Sequence, residues 1–446
     1  MRLEETAEQA VAWLRAQGLE GEVYLSFSEE RGLERRAGKL DGIQNASSEG
    51  VGLRLVEGGR MAFACAAEAS LETVRSLAQA ARRQLPHLRA DVHKVLAEPK
   101  VAAPREELRR SLWDESLFQE SWESLGEKLA RAEARALALD RRVSAVLRSG
   151  YSESRGQVVI ASTRGVLTRE RAASCGMGLS ALSGDQAELQ IGSDYQSSRR
   201  FSELDWEGVG RRAAQRTVAL LGSRKSPTGR RSVVFDPWVA GEFLDLVAGL
   251  LCADQVQRGK SLLAGKLERS VGSPLVTFVD DPHRLGGLAS SLYDDEGCPT
   301  KCKTMIEAGV VREFFYDCAS ASREGKPSNG SAARGSYRGL PSPACSNFYL
   351  KPGTMSREEL ISGTSDGLLV LDVMGMHMAD PISGEFSVGV SGLLIEKGKL
   401  AHPVKAAMLS GNLLDLLGRV DAVSDDLAFY GGMGAPTFRV ADMTVA

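Results

Sequence analysis

Two cysteines, a run of carboxylates and one histidine set among methionines are the residues of this sequence best suited to chemistry. Cys298 and Cys302 have three residues between them, a spacing at which two thiolates can grip zinc. No second cysteine or histidine pair stands at ligand spacing, so a site built on them would lack two of its four ligands. Asp280, Asp281, Asp294, Asp295 and Glu296 gather around Pro282 and the glycines Gly286, Gly287 and Gly297. Carboxylates in such turns most often accept backbone N–H groups, and a calcium loop would need oxygens at regular alternate positions that this run does not supply. His377 lies in Met374-Gly375-Met376-His377-Met378, ahead of a turn at Pro381 and Gly384. A lone histidine is more often a structural residue than a catalyst.

The element around which these groups must be arranged is Val233 to Cys252, VVFDPWVAGEFLDLVAGLLC. Asp236 can cap a helix whose first turn begins at Pro237, where proline's missing N–H costs nothing. Trp238, Val239, Phe243, Leu246, Val247, Leu250 and Leu251 recur at three- and four-residue spacings, which predicts a buried helix of about four turns. Helices of this kind hold zinc in many peptidases through paired histidines on adjacent turns, with a neighbouring glutamate to move the proton. This segment contains no histidine.

The whole chain bounds what such a site could serve. At 446 residues it exceeds what one core usually supports, and 43% hydrophobic with 25% charged residues is the balance of a globular protein. A net charge of -3 and a sequence pI near 6.1 give no basic excess of the kind a phosphate-binding surface shows, so no nucleic-acid partner is expected. No stretch of about 18 apolar residues predicts a membrane span, and the N-terminal segment reads as an amphipathic helix rather than a signal peptide. Seven scattered cysteines, an odd number, suit reduced thiols, so the expected compartment is the cytoplasm.

The chain divides into two α+β units and a mainly β third, an α+β fold class overall. Residues 1–100 read as helix, strand at Val23 to Phe27, a hairpin of Gly50 to Val56 with Met61 to Ala66 around Gly58 and Gly59, and a helix from Leu71 to Leu85. Pro99 and Pro104 mark a linker. Residues 101–224 repeat the order: Glu107 to Leu139 mostly helical, strands at Ala145 to Tyr151, Val158 to Ala161, Thr168 to Ala181 and Gln186 to Asp194, then a helix from Trp206 to Leu221. Ser28-Glu29-Glu30-Arg31-Gly32 and Ser152-Glu153-Ser154-Arg155-Gly156 fall at similar places, which suggests a duplication. The second linker runs from Gly222 to Gly229. The remainder, 225–446, is a glycine-rich, mainly β domain with one central helix. A strand runs from Pro274 to Asp280, hairpins form around Ala308-Gly309 and Lys397-Gly398, and strands run from Leu368 to Met374, Phe386 to Ile395 and Phe438 to Val445. Ser356 with Glu359 makes a capping box.

This third unit resembles the TldD/PmbA family of bacterial and archaeal peptidases. The resemblance is carried by Asp280-Asp281-Pro282-His283, Tyr293-Asp294-Asp295-Glu296-Gly297-Cys298-Pro299-Thr300, Ile306-Glu307-Ala308-Gly309-Val310, Ser346-Asn347-Phe348-Tyr349, Ser383-Gly384-Glu385-Phe386-Ser387, Gly411-Asn412 and Gly434-Ala435-Pro436-Thr437. It implies a pair of related chains enclosing a cleft, one bearing zinc and one not. The zinc-bearing type has two histidines and a glutamate on a helix, with a cysteine near the C-terminus. With Arg258-Gly259 as the register, this sequence has Leu244, Asp245 and Gly249 at those positions, and no cysteine follows Cys345. The resemblance therefore implies a PmbA-type (TldE-type) chain, a non-catalytic subunit with no cofactor of its own, whose TldD-type partner holds the zinc and hydrolyses unfolded peptides. In this family the glycine-rich strand borders the substrate cleft, so His377, Gly384, Phe386 and Gly389 are the expected peptide contacts, with the extended peptide taken up by backbone hydrogen bonds. Two other outcomes stay open: an active metallopeptidase with different ligands such as His283, His377 and Glu242, or a homodimeric peptide-binding module. The family's description as a modulator of DNA gyrase finds no support in motifs or charge.

Overall fold

In the computed structural model, residues 2–185, 188–226 and 228–446 are described. Gln186, with which one strand was expected to begin, and Pro227 of the second linker lie outside them. The fold is α+β, as the sequence predicts.

The first unit comprises α1 (Arg2–Ala16), β1 (Glu20–Arg36), β2 (Lys39–Glu57), β3 (Arg60–Ala66) and α2 (Leu71–Gln84). Ser70 caps α2 by accepting the Thr73 N–H, and the helices bury Leu14, Val74 and Ala78 with Val23, Leu53 and Leu55 of the strands. The second holds α3 (Glu106–Ser111), α4 (Trp122–Leu139), β4 (Val143–Ser162), β5 (Leu167–Gly184), β6 (Leu189–Ser198) and α5 (Trp206–Ala219). All six strands join in one antiparallel sheet, in the order β3-β2-β1-β4-β5-β6.

The two similar sequence segments meet at the centre of this sheet. Ser28 pairs with Gly156, Glu30 with Ser154 and Gly32 with Ser152. Arg31 forms an ion pair with Glu153 while Arg155 reaches Glu29 at 2.7 Å, so the same bridge occurs twice across the β1–β4 seam. Helix, three strands, helix appears twice, with the two first strands adjacent. A duplicated unit pairing with itself across a local twofold axis gives this topology. The strands are also longer than the sequence suggests, 17 residues for β1 and 20 for β4. Their polar middles carry cross-strand ion pairs instead of apolar alternation, and so read as breaks.

The third unit begins with β7 (Gly229–Phe235), α6 (Pro237–Leu250) and α7 (Ala253–Gln257). It continues through β8 (Phe278–Asp280), β9 (Lys303–Glu307), β10 (Val310–Val311), α8 (Cys318–Arg323), β11 (Ala332–Ala333), β12 (Ser342–Pro343), β13 (Phe348–Leu350) and α9 (Arg357–Ser362). The final elements are β14 (Asp366–Met374), β15 (Glu385–Glu396), β16 (Lys399–Asn412), α10 (Leu413–Gly418), β17 (Val420–Val423), β18 (Ala428–Tyr430), β19 (Met433–Ala435) and β20 (Phe438–Val445). Strands β16, β15, β14, β7 and β20 pair in that order, and β16 pairs again with β20, which closes a five-stranded barrel with β17 added at β20. A second sheet runs β10-β9-β8-β13-β19-β18. The strand expected from Pro274 is ordered as β8 only from Phe278.

Charges pin the units together. Arg54 of β2 bridges Glu22 at 2.5 Å and Glu296 of the third unit at 2.8 Å, and all three side chains are at most 3% exposed. Arg334 joins the cluster through Glu22. Between the second and third units, Glu170 accepts the N–H groups of Leu292 and Tyr293, while Arg199 donates to the carbonyls of Gly287 and Leu288. Burial pushes Glu170 up to about 7 and Arg199 down to about 10.

Candidate functional site

The site is built on α6, whose start is held from three sides. Asp236 accepts the Trp238 N–H at 3.0 Å as the helix cap, and its other oxygen takes Arg357 at 2.7 Å. The Trp238 ring meets Tyr195 and Tyr430 at 5.2 and 4.9 Å between centroids, with the Arg216 guanidinium 4.5 Å above it. Residues of the second unit thus fix where the helix begins. Inward, Val239, Phe243, Leu244 and Val247 enter the core, where Phe243 meets Phe235 and Phe386 edge to face.

The outward face carries Glu242, Asp245 and Gly249, all exposed and spaced three and four residues apart, hence on one stripe. Asp372 of β14 stands near Glu242. Glu242 and Asp372 are solvent-exposed but partly enclosed by their neighbours: that partial desolvation first, then Asp372 and Asp245, raises Glu242 above the usual carboxylate range, and partial desolvation does the same for Asp372. At the far end of the helix, Cys252 donates its S–H to the Pro343 carbonyl at 3.2 Å. Burial, aided by Asp254, Asp317 and Asp245, pushes this thiol up to about 12, and burial followed by Asp280 and Cys252 raises Cys345 as well.

Beside this helix lies the glycine-rich strand and its approach. Gly375, at φ 88°, turns the chain into a 3-10 turn, Met376–Met378, that leaves His377 and Met378 at the surface. Asp380 then accepts the Ile382 N–H and the Ser383 hydroxyl, each at 2.8 Å, and Gly384 closes the turn at φ 77°. Across the outer face of the barrel, Gly389 of β15 stands opposite Met374 of β14 and Met408 of β16. The row reads methionine, bare backbone, methionine, with both sulfur-bearing side chains exposed.

The four expected contact residues divide. His377 and Gly389 reach this outer surface. Gly384 is buried inside its turn, packed by Leu262 and Asn412, and Phe386 is a core residue, 4% exposed. Alternation along β15 explains Phe386: Phe386, Val388 and Val390 point inward while Ser387 and Gly389 point out. Along β15, residues 389–396 have β14 on one edge and β16 on the other, whereas residues 385–388 pair with β16 alone. No spacing along the chain pairs Met374 with Met408; only the strand register brings them into one row.

The carboxylates near residue 290 cap backbone, as anticipated. Asp294 accepts from the N–H groups of Glu296, Cys298 and Ala332, Asp281 from His283, and Asp280 from Ser346 while paired to Lys303 at 3.0 Å. Burial and the adjacent Glu296 raise Asp294 well above its ordinary range. Cys302 is exposed, whereas Cys298 is buried against a different cysteine.

A zinc ion of the kind found in histidine-bearing helices does not fit α6. Leu244 points into the core, Asp245 is one carboxylate, and Gly249 offers no side chain. Among the described residues no three His, Cys, Asp or Glu side chains are grouped to hold a metal, and this includes His283, His377 and Glu242.

Comparison with known proteins matches all three units to one family. The PmbA/TldA metallopeptidase domain 1 matches residues 21–85, its central domain 118–221 and its C-terminal domain 228–446. The chain is 30% identical over 444 residues to a metalloprotease TldD homolog of Haemophilus influenzae, covering 91% of this chain and 89% of that one. It is 24% identical over 455 residues to metalloprotease PmbA of Escherichia coli O157:H7, covering 100% and 96%. The crystal structure of a Thermotoga maritima protein described as a modulator of a DNA gyrase superposes with a TM-score of 0.91 at 27% identity, covering 99% and 100%. With a shared architecture from the first strand to the last, the chain belongs to the PmbA/TldD metallopeptidase family.

Proposed function

We propose that this chain is the zinc-free member of a two-chain peptidase, forming one wall of a cleft whose opposite wall is a TldD-type chain. The observation that carries the reading is α6: the resemblance assigns Leu244, Asp245 and Gly249 to the metal-holding positions, and these three side chains cannot form a zinc site. Zinc on the partner would activate water and polarise the scissile carbonyl. The residues of this chain bind and orient the substrate. The Met374, Gly389 and Met408 row offers two adaptable apolar side chains around bare backbone, a surface that grips an extended unfolded peptide with little regard for sequence. His377 lies beside it as a hydrogen-bonding group. The cytoplasm is the proposed compartment, in keeping with seven free cysteines, and no helix among the described residues is long and apolar enough to cross a membrane.

The test is to mix the purified chain with the TldD-type chain of the same organism, weigh the product and follow cleavage of an unstructured peptide. A one-to-one complex is expected, with hydrolysis only when both chains are present. Stoichiometric zinc and peptide cleavage by this chain alone would refute the reading, and alanine at His283 and His377 would then identify the ligands. A homodimer that ignores the TldD-type chain but binds peptide would replace it with a stand-alone binding module.

A further inference from the structure

We infer that Cys298 and Cys318 form an oxidation site, at which a hydroperoxide converts two buried thiols into an intrachain disulfide. Their Sγ atoms stand 3.7 Å apart without a bond. A disulfide requires roughly 2.05 Å, so the sulfurs must approach further, by rotation of the side chains and adjustment of the backbone. The pairing is imposed by the fold. The Cys298 N–H donates to Asp294 at 2.9 Å and the Cys318 N–H to Glu296 at 2.7 Å, so one loop's carboxylates hang both residues face to face. Both also border a cavity of about 430 Å³ between the third unit and residues such as Val95, Ala97 and Arg164 of the other two, which gives a small oxidant a route to the sulfurs.

The chemistry closes without any group beyond the peroxide. One sulfur, as its thiolate, takes the distal oxygen of the hydroperoxide and becomes a sulfenic acid, the O–O bond breaking and the proton given up by the thiol leaving with the other oxygen as water or an alcohol. The second thiol then attacks that sulfur, and hydroxide leaves with the thiol proton as water. Two S–H bonds and the O–O bond break, one S–S bond forms, and two electrons pass from sulfur to peroxide. The neighbouring Cys298 thiol, burial and Glu296 hold Cys318 in its protonated form. Cys318 is therefore the second, resolving thiol, and the burial of both sulfurs should keep out iodoacetamide, which is larger than hydrogen peroxide, while exposed Cys65 and Cys302 react. Once formed, the bond ties the loop that holds Arg54 through Glu296 to α8, whose Arg323 pairs with Asp91 at 2.8 Å. Oxidation would thus stiffen the junction with the first unit, independently of any partner chain.

The experiment treats the reduced, folded chain with hydrogen peroxide after iodoacetamide has blocked its accessible thiols, then unfolds it, alkylates again and maps the peptides. Expected is a cross-linked peptide joining residues 298 and 318, loss of both thiols from the second alkylation, and their recovery with dithiothreitol. Cys298→Ser and Cys318→Ser should each abolish the cross-link. The inference fails if both thiols are alkylated in full after peroxide treatment, or if either ends as a sulfinic acid or bonded to another cysteine. The wild-type map decides this even if a serine variant does not fold.

Discussion

Replacing Glu170 with glutamine should change the slope of stability against pH rather than merely its level. Burial raises this carboxyl from 4.5 to about 7, against the lowering effect of the Leu292 and Tyr293 N–H groups. A raised carboxyl means the folded chain binds a proton that the unfolded chain has released, so stability is highest below pH 4.5 and falls as pH rises to about 7. Each tenfold change in proton affinity is worth about 1.4 kcal/mol, which puts the loss near 3 kcal/mol. That is an upper bound, because Glu170 borders two cavities, of about 420 and 250 Å³, where water can screen it. Glutamine keeps an oxygen for the same two N–H groups but never ionises. In urea unfolding followed by tryptophan fluorescence, Glu170→Gln should match the parent near pH 4 and exceed it by up to about 3 kcal/mol near pH 8. Parallel curves with a constant offset across that range would refute the reasoning.

Other changes test the joints and the site. Arg54→Met should cost about 3–5 kcal/mol by leaving Glu296 buried without its cation and Glu22 with Arg334 alone, read as a lowered urea midpoint. Gly249→Ala should be tolerated and stabilise α6 by up to about 1 kcal/mol, since nothing lies within 4 Å of an added methyl. Gly392→Ala, by contrast, would drive that methyl into the Leu369 carbonyl and should lower the thermal midpoint sharply. Met408→Glu, on the exposed row, should leave the midpoint nearly unchanged while weakening peptide binding by the two-chain complex about tenfold or more, measurable by fluorescence anisotropy.

Much of the local structure could be read from residues a few positions apart. Asp236 before Pro237 fixed the start of α6, and the Ser356–Glu359 capping box forms with the reciprocal hydrogen bonds its residues call for. The hairpins at Gly58-Gly59, Ala308-Gly309 and Lys397-Gly398 fall where the chain needs positive φ. The carboxylates around residue 290 were legible as backbone caps because short side chains in turns have few other partners. Each of these depends on atoms that the chain itself keeps close.

Long-range pairing was hidden for the opposite reason. The similar segments at residues 28–32 and 152–156 suggested a repeat, but not that they would lie side by side and exchange arginine–glutamate bridges. Nothing within β15 shows that β14 takes one edge only from residue 389 onward, or that Phe386 turns inward to meet Phe243. Nor could spacing bring Cys298 to Cys318 instead of Cys302. Backbone conformation follows from neighbours in sequence, so caps, turns and helix faces were written in the chain. Which side chains share a surface follows from strand register and burial across hundreds of residues, and only packing of the whole molecule chooses among the registers that local sequence allows.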